Sequence, residues 1–309
     1  TGGSRQEIGH NGIFPSARAP TMPYTTLISA SELHALAASG KPLMVFDCSF
    51  DLAAPGAGEQ DYLHGHIPGA VYAHLDNVLS AGSGPRASGG RHPLPTREHF
   101  AAWLGSVGFS NGMQAVVYDR NGCAFCGRLW WMLKWLGHEA VAVLDGGLQA
   151  WTQAGGSLAQ GPATSRAPAR FRVDAPLRAL VTAQQVLHDL GTPGQTIIDA
   201  RATPRYRGEV EPLDPVAGHI PGALNRPFTD NFGPDGRFKS PDMLRAEFLA
   251  LLGGRDPATV VNHCGSGVTA NPNLLALELA GLGETALFAG SWSEWCSDAT
   301  RPVEKSTPP

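Results

Sequence analysis

The residues most loaded with chemistry lie in the run Val260-Val261-Asn262-His263-Cys264-Gly265-Ser266-Gly267-Val268-Thr269-Ala270. An apolar stretch that reads as a buried strand passes into a loop of small residues. An apolar helix begins just beyond, with Pro272 tolerated in its first turn. Cys264 therefore falls where the C-terminal end of a strand meets a helix N-terminus. Two effects there favour a thiolate: the positive end of the helix dipole, and loop N–H groups turned inward as an anion cradle. Gly265 and Gly267 let the backbone curl closely around a sulfur or an anionic group. The competing reading is an inert packed cysteine, because a free thiol behaves as a small hydrophobe. The flanking glycines and the strand-to-helix placement favour a nucleophile.

His263-Cys264 also opens a His-Cys-x5-Arg pattern, whose arginine would fork onto phosphate oxygens. That last position is Ala270, so phosphate-ester chemistry lacks its main ligand.

The elements that must position this cysteine occur twice. Gly65-His66-Ile67-Pro68-Gly69-Ala70 recurs as Gly218-His219-Ile220-Pro221-Gly222-Ala223. Leu43-Met44-Val45-Phe46-Asp47 is echoed by Thr196-Ile197-Ile198-Asp199, and Val116-Val117 by Val260-Val261. Leu144-Asp145-Gly146 with Trp151 returns as Phe288-Ala289-Gly290 with Trp295. Ordered matches at so long a spacing mark a duplicated domain and not a solenoid of short repeats. Each copy reads as helices alternating with short apolar strands, which predicts a parallel sheet covered on both faces. The helices fall at Ser31–Ala38, Arg97–Gly105 and Arg128–Leu136 in the first copy. In the second they fall at Thr182–Leu190, Pro241–Leu252 and Asn273–Ala280. The expected organisation is an arm over residues 1–23, a first domain over 24–154, a linker over 155–176 and a second domain over 177–309.

Composition narrows the class. Of 309 residues, 27 are acidic and 23 basic, a net charge of −4, which argues against a protein that coats nucleic acid. No apolar run approaches the roughly 18 residues of a membrane span. Residues 1–23 show no apolar signal-peptide core. Five cysteines, an odd number in a long chain, do not describe a disulfide scaffold. The expectation is a reducing, cytoplasmic compartment and no membrane or nucleic-acid partner.

Cys264-Gly265-Ser266-Gly267-Val268-Thr269-Ala270 resembles the active-site loop of the two-domain rhodanese superfamily, in the form typical of 3-mercaptopyruvate sulfurtransferases. The likeness runs from about Tyr24 to Pro302. It includes both His-Ile-Pro-Gly-Ala turns, Leu144-Asp145-Gly146-Gly147 and Gly290-Ser291-Trp292-Ser293-Glu294-Trp295. The thiosulfate-using branch carries basic residues directly after the cysteine, where this chain has Gly265 and Ser266. The resemblance implies an α/β fold of two tandem rhodanese-like domains, each a parallel sheet flanked by helices. Cys264 would then take sulfur from a small anionic donor, become a persulfide and pass the sulfur to a thiol acceptor such as thioredoxin, or to cyanide. It implies no metal and no organic cofactor, and a monomer is the expectation. A thiosulfate:cyanide sulfurtransferase and a persulfide carrier without turnover are the alternatives.

By the same resemblance Arg205 holds the substrate carboxylate, a task suited to a guanidinium fork. A second family arginine would follow a Glu-Pro step, but the chain reads Glu211-Pro212-Leu213-Asp214 there. Arg201, Arg207 or Arg91 is left to substitute. Gly265, Gly267, Val268 and Thr269 would line the donor through the loop. Ser266 resembles a serine that polarises substrate together with a histidine and an aspartate of the first domain. His66 matches that histidine, with Asp51 or Asp61 as the acid; the alternative is that His66, like its repeat His219, caps a turn. Arg91-His92-Pro93-Leu94-Pro95 resembles a loop that approaches the site across the domain boundary, and Arg91 is its candidate ligand.

The first copy aligns Arg120 with Cys264 and so lacks a nucleophile. Cys123 and Cys126 in that loop could form a redox pair, although two packed, inert cysteines are the simpler reading. A single Cys-x-x-Cys does not make a structural zinc site. Trp130, Trp131 and Trp135 share a helix with Leu129, Met132, Leu133 and Leu136, a spacing that reads as core.

Overall fold

The computed structural model describes residues 23–306, so the expected arm lies almost wholly outside the described residues. In the first domain the chain runs β1 (Leu27–Ile28), α1 (Ala30–Ala38), β2 (Leu43–Asp47), α2 (Ala57–His64) and β3 (Val71–Tyr72). It continues through α3 (Arg97–Ser106), β4 (Gln114–Tyr118), α4 (Cys126–Trp135), β5 (Val141–Leu144) and α5 (Gly147–Gln153). The second domain repeats the pattern with α6 (Ala183–His188), β6 (Thr196–Asp199), α7 (Thr203–Arg207), β7 (Leu224–Asn225) and α8 (Pro241–Leu252). It closes with β8 (Val260–His263), α9 (Asn271–Leu279), β9 (Ala286–Leu287) and α10 (Ser291–Trp295).

Local chemistry sets these boundaries. Ser29 caps α1 in a capping box with Glu32, and Thr182 does the same for α6 with Gln185. Ser240 and Pro241 open α8, and Gly253 closes it in the left-handed region. The helices read from the sequence fall within two residues of those observed, a margin set by fraying ends. The short α2, α5, α7 and α10 were not legible, because helices this brief carry little apolar periodicity.

The first sheet has strand order β1-β5-β4-β2-β3 and the second β7-β6-β8-β9, all neighbours parallel. Read from the other edge, the second order matches β5-β4-β2-β3. A parallel bridge from Leu180 to Leu287 stands in for the missing edge strand. The duplicated sequence thus gives a duplicated topology of the expected α/β class. In both sheets the central strand (β4, β8) delivers its loop at the carboxyl edge, where open α/β sheets bind ligands.

Helix α4 is buried all round, as a helix apolar on every face must be. It packs on α9, and Gly127 permits this: a methyl there would lie 3.3 Å from Asn271 Cβ and 3.4 Å from Pro272 Cδ. One apolar cluster joins Trp130, Trp131 and Leu133 of the first domain to Cys264, Val268, Ala270 and Leu275 of the second. The domains therefore share a core, and the cysteine loop is part of it. Residues 155–176 are strapped to the first domain through Ala159 with His66, Ala169 with Gly105 and Arg172 with Asn111. Among the described residues no helix is long and apolar enough to cross a membrane.

Candidate active site

Cys264 follows the last residue of β8 and is 1% exposed. Its N–H donates to Ser291 Oγ at 3.0 Å, and its carbonyl accepts from Trp292 N–H. Ser291 holds a positive φ of 55°, a strained choice for a serine that is kept where it braces the nucleophile. Gly267 must be glycine, since its φ is 75° and a Cβ would collide with Ala289 O. Among the described hydrogen bonds, the N–H groups of Gly265, Ser266, Gly267, Val268, Thr269 and Ala270 donate to no protein acceptor. Unpaired donors in a strand-to-helix loop are what such a loop can offer an anion. The Val268 side chain packs into the shared core, so this residue can serve a donor only through its backbone; Thr269 is half-buried.

Ser266 Oγ lies 2.7 Å from His92 Nδ1, and His92 Nε2 lies 3.5 Å from Asp76 Oδ1. The chain Ser266–His92–Asp76 crosses the domain boundary. His92 is buried, and burial, seconded by Arg128 and Arg91, pulls it down to about 3, so the ring is neutral at ordinary pH. A neutral imidazole can orient and polarise the serine hydroxyl without adding charge.

His66 is not the partner of Ser266. Its Nδ1 meets Tyr62 O at 2.8 Å and its ring stacks on Tyr62 at 4.0 Å. His219 does the same on Tyr206, at 2.8 Å and 3.9 Å. The two repeated histidines fix the same turn in each copy. The elements around His66 pack in the cluster of Tyr62, Ile67, Val116 and Tyr118, on the sheet face turned away from Cys264. Asp51 and Asp61 are exposed, and Asp76 takes the acidic place instead. The loop 91–95 does approach across the boundary, and it supplies His92 as well as Arg91.

Arg205 and Arg91 stand together. A methyl built on Gly265 would lie 3.3 Å from Arg205 Nη1 and 3.4 Å from Arg91 Nη2, so both guanidinium groups flank the residue after the nucleophile. Their other nitrogens are held from behind. Arg205 Nε and Nη2 donate to Glu211, and Nη2 also reaches Asp214 Oδ2 at 3.3 Å. Arg91 Nη1 donates to Asp214 Oδ1. Burial works against the Glu211 carboxylate, but Arg205 and the N–H groups of Leu213 and Asp214 outweigh it and hold it below the usual range. The Glu211–Asp214 step thus clamps the arginine pair, and of Arg201, Arg207 and Arg91 it is Arg91 that lies beside Arg205. Arg201 is spent on Asp199 and Gly218 O, and Arg207 lies beside Glu209.

The corresponding loop of the first domain is closed to this chemistry. Asp119 directly follows β4, at the position that His263 holds at the end of β8, and its carboxylate accepts the N–H groups of Asn121, Cys123, Phe125 and Cys126 at 2.9–3.0 Å. The anion cradle is filled from within. Arg120, in the place of Cys264, turns away to Asp61 O and Gly65 O. Burial pushes the Cys48 and Cys126 thiols well up, which suits packed and inert residues. All five cysteines are free. Among the described residues no group of three or more His, Cys, Asp or Glu is placed to share a metal.

A buried cysteine in a loop whose N–H groups have no described protein acceptor, two neighbouring arginines and a serine–histidine pair between two copies of one domain define a class. The family signature described as a rhodanese-like domain matches residues 29–154 and again 182–298. The chain belongs to the rhodanese family, with two of its domains in tandem, and it is a sulfurtransferase. It is 48% identical to the probable 3-mercaptopyruvate sulfurtransferase of Pseudomonas aeruginosa, over 91% of this chain and 99% of that one. It is 40% identical to the putative thiosulfate sulfurtransferase SseB of Mycobacterium tuberculosis, over 91% and 97%. Among solved structures it resembles the 3-mercaptopyruvate sulfurtransferase from Leishmania major, with a TM-score of 0.74 and 30% identity, over 90% of this chain and 76% of that one.

Proposed function

We propose that the sulfur donor is 3-mercaptopyruvate and that the transferred atom rests on Cys264 as a persulfide. The observation that carries this reading is the pairing of Arg205 Nη1 with Arg91 Nη2 beside Gly265. Two guanidinium edges aimed at one point suit a carboxylate, which they hold through charge-assisted hydrogen bonds. With the carboxylate there, the donor's carbonyl faces Ser266 Oγ and its sulfur faces Cys264. The Cys264 thiolate attacks that sulfur, and the bond between sulfur and carbon breaks. Its electron pair passes into the carbonyl system as the enolate of pyruvate, which Ser266, backed by His92, stabilises by donating its hydroxyl proton in a hydrogen bond. The proton of the donor's thiol, given up as the new persulfide ionises, ends on the enolate carbon and pyruvate leaves. The Cys264 persulfide is an anion, and the loop N–H groups from Gly265 to Ala270 suit it. An acceptor thiolate, from a small thiol or a protein such as thioredoxin, then takes the outer sulfur; cyanide can do so in its place.

Thiosulfate has no carboxylate or carbonyl, so Ser266 and half of the arginine pair would lack a task. The protein acts as a monomer in the cytoplasm, a location in keeping with five free cysteines. The test is kcat/KM for 3-mercaptopyruvate against thiosulfate with cyanide as acceptor. A preference for thiosulfate would overturn the donor assignment. One loading without turnover would make the protein a carrier.

A further inference from the structure

Arg128 has no exposed surface, and no carboxylate is among its described hydrogen-bond partners. It is the third residue of α4, near the positive end of the helix dipole, where a cation is disfavoured. A buried, unpaired charge is expensive unless its donors are well used. Burial pulls this guanidinium down to about 10, with the Cys264 sulfur acting in the opposite sense.

Its donors are used in a telling way. Nε donates to Leu79 O at 2.9 Å, Nη2 to His92 O at 2.7 Å and Nη1 to Gly267 O at 3.1 Å. Leu79 closes the turn that carries Asp76, since its N–H returns to His74 O. His92 is itself the middle residue of the chain. Gly267 follows Ser266 in the nucleophile loop, on the other domain. One planar group thus holds the three backbone segments that present Asp76, His92 and Ser266. We propose that Arg128 is a positioning residue for sulfur transfer: its fork fixes, across the domain boundary, the separation at which Ser266 meets His92 and His92 meets Asp76. The inference rests on Ser266 and His92 acting in the transfer as proposed above. A lysine keeps the charge but cannot hold three carbonyls in one plane.

The test uses the full-length enzyme and steady-state kinetics with 3-mercaptopyruvate on R128K, S266A and the double variant, with melting curves for each. R128K should lower kcat by up to about 10²-fold, the scale of an ångström's misplacement, with KM within about twofold. In the S266A background R128K should cost little more, because the two changes disable one device and are not additive. Wild-type kcat in S266A would remove the serine's role and with it the basis of the inference. A slow S266A beside an unimpaired R128K, or losses that simply multiply, would overturn the Arg128 assignment alone. Should R128K melt below the assay temperature, R128Q takes its place with the same readouts. Loss of the fold in both would make Arg128 a folding residue and overturn the proposal as well.

Discussion

Ser266 Oγ and His92 Nδ1 lie 2.7 Å apart, although 174 positions separate them in the chain. The contact exists only because two copies of one domain meet face to face, with α4 of the first against α9 of the second. One copy supplies the nucleophile loop and the other a histidine, an aspartate and an arginine. The second domain alone would hold Cys264 and Ser266 but neither His92 nor Asp76.

The histidines give the first prediction. His92→Ala should lower kcat by about 10²-fold, the scale expected when a donor that stabilises developing negative charge loses its orientation. His66→Ala should leave kcat unchanged and lower the melting temperature, because it deletes a turn contact and a stacked ring. Kinetics and melting curves on both variants decide it. A folded His66→Ala enzyme with a collapsed kcat would reverse the assignment.

That contrast also shows what was legible in the sequence. The nucleophile, the duplication and Arg205 could be read because each rests on local pattern: a strand running into a glycine-rich loop, a repeated turn, an arginine at a matched position. His66 matches the family histidine, beside the alternative that it caps a turn as its repeat His219 does. Yet repetition is the mark of a shared structural task, and His66 and His219 stack on Tyr62 and Tyr206 alike. His92 and Asp76 lie outside the four matched segments of the repeat, and their meeting with Ser266 depends on how the domains dock. Arg128 was hidden in an apolar helix that reads only as core. The pair Arg91 and Arg205 was half legible, since the Glu211–Asp214 clamp that sets their angle is tertiary.

Arg205→Ala should raise KM for 3-mercaptopyruvate by about 10-fold or more and change kcat less, as expected when a charged hydrogen bond to the substrate is lost. Arg91→Ala should act in the same sense. An unchanged KM in either would take that arginine out of the donor site.

The neutral state of His92 has a consequence for stability. Its value in the fold, about 3, lies below the roughly 6.5 of an unfolded chain. Between those values the unfolded state binds more protons, so this contribution is complete above about 6.5 and is lost as the pH falls. The melting temperature of the wild type should therefore exceed that of His92→Asn by more at pH 7 than at pH 5. An equal gap at both would mean that His92 is not held neutral.

The filled cradle of the first domain predicts that a cysteine alone cannot awaken it. Arg120→Cys in a Cys264→Ser background should show no turnover, because Asp119 already occupies the loop N–H groups. Asp119→Ala should cost about 3 kcal/mol of stability by leaving buried donors unsatisfied. Activity in the Arg120→Cys variant would refute this account of the silent loop.

In the mechanism proposed above, sulfur moves onto Cys264. The enzyme is mixed with one equivalent of 3-mercaptopyruvate and no acceptor, pyruvate is counted, and the protein is digested for peptide mass. One pyruvate should appear for each enzyme, with one added sulfur atom on the peptide of Cys264, none on those of Cys48, Cys123 or Cys126, and neither product from Cys264→Ser. Pyruvate released by Cys264→Ser, or sulfur found on another cysteine, would contradict the mechanism.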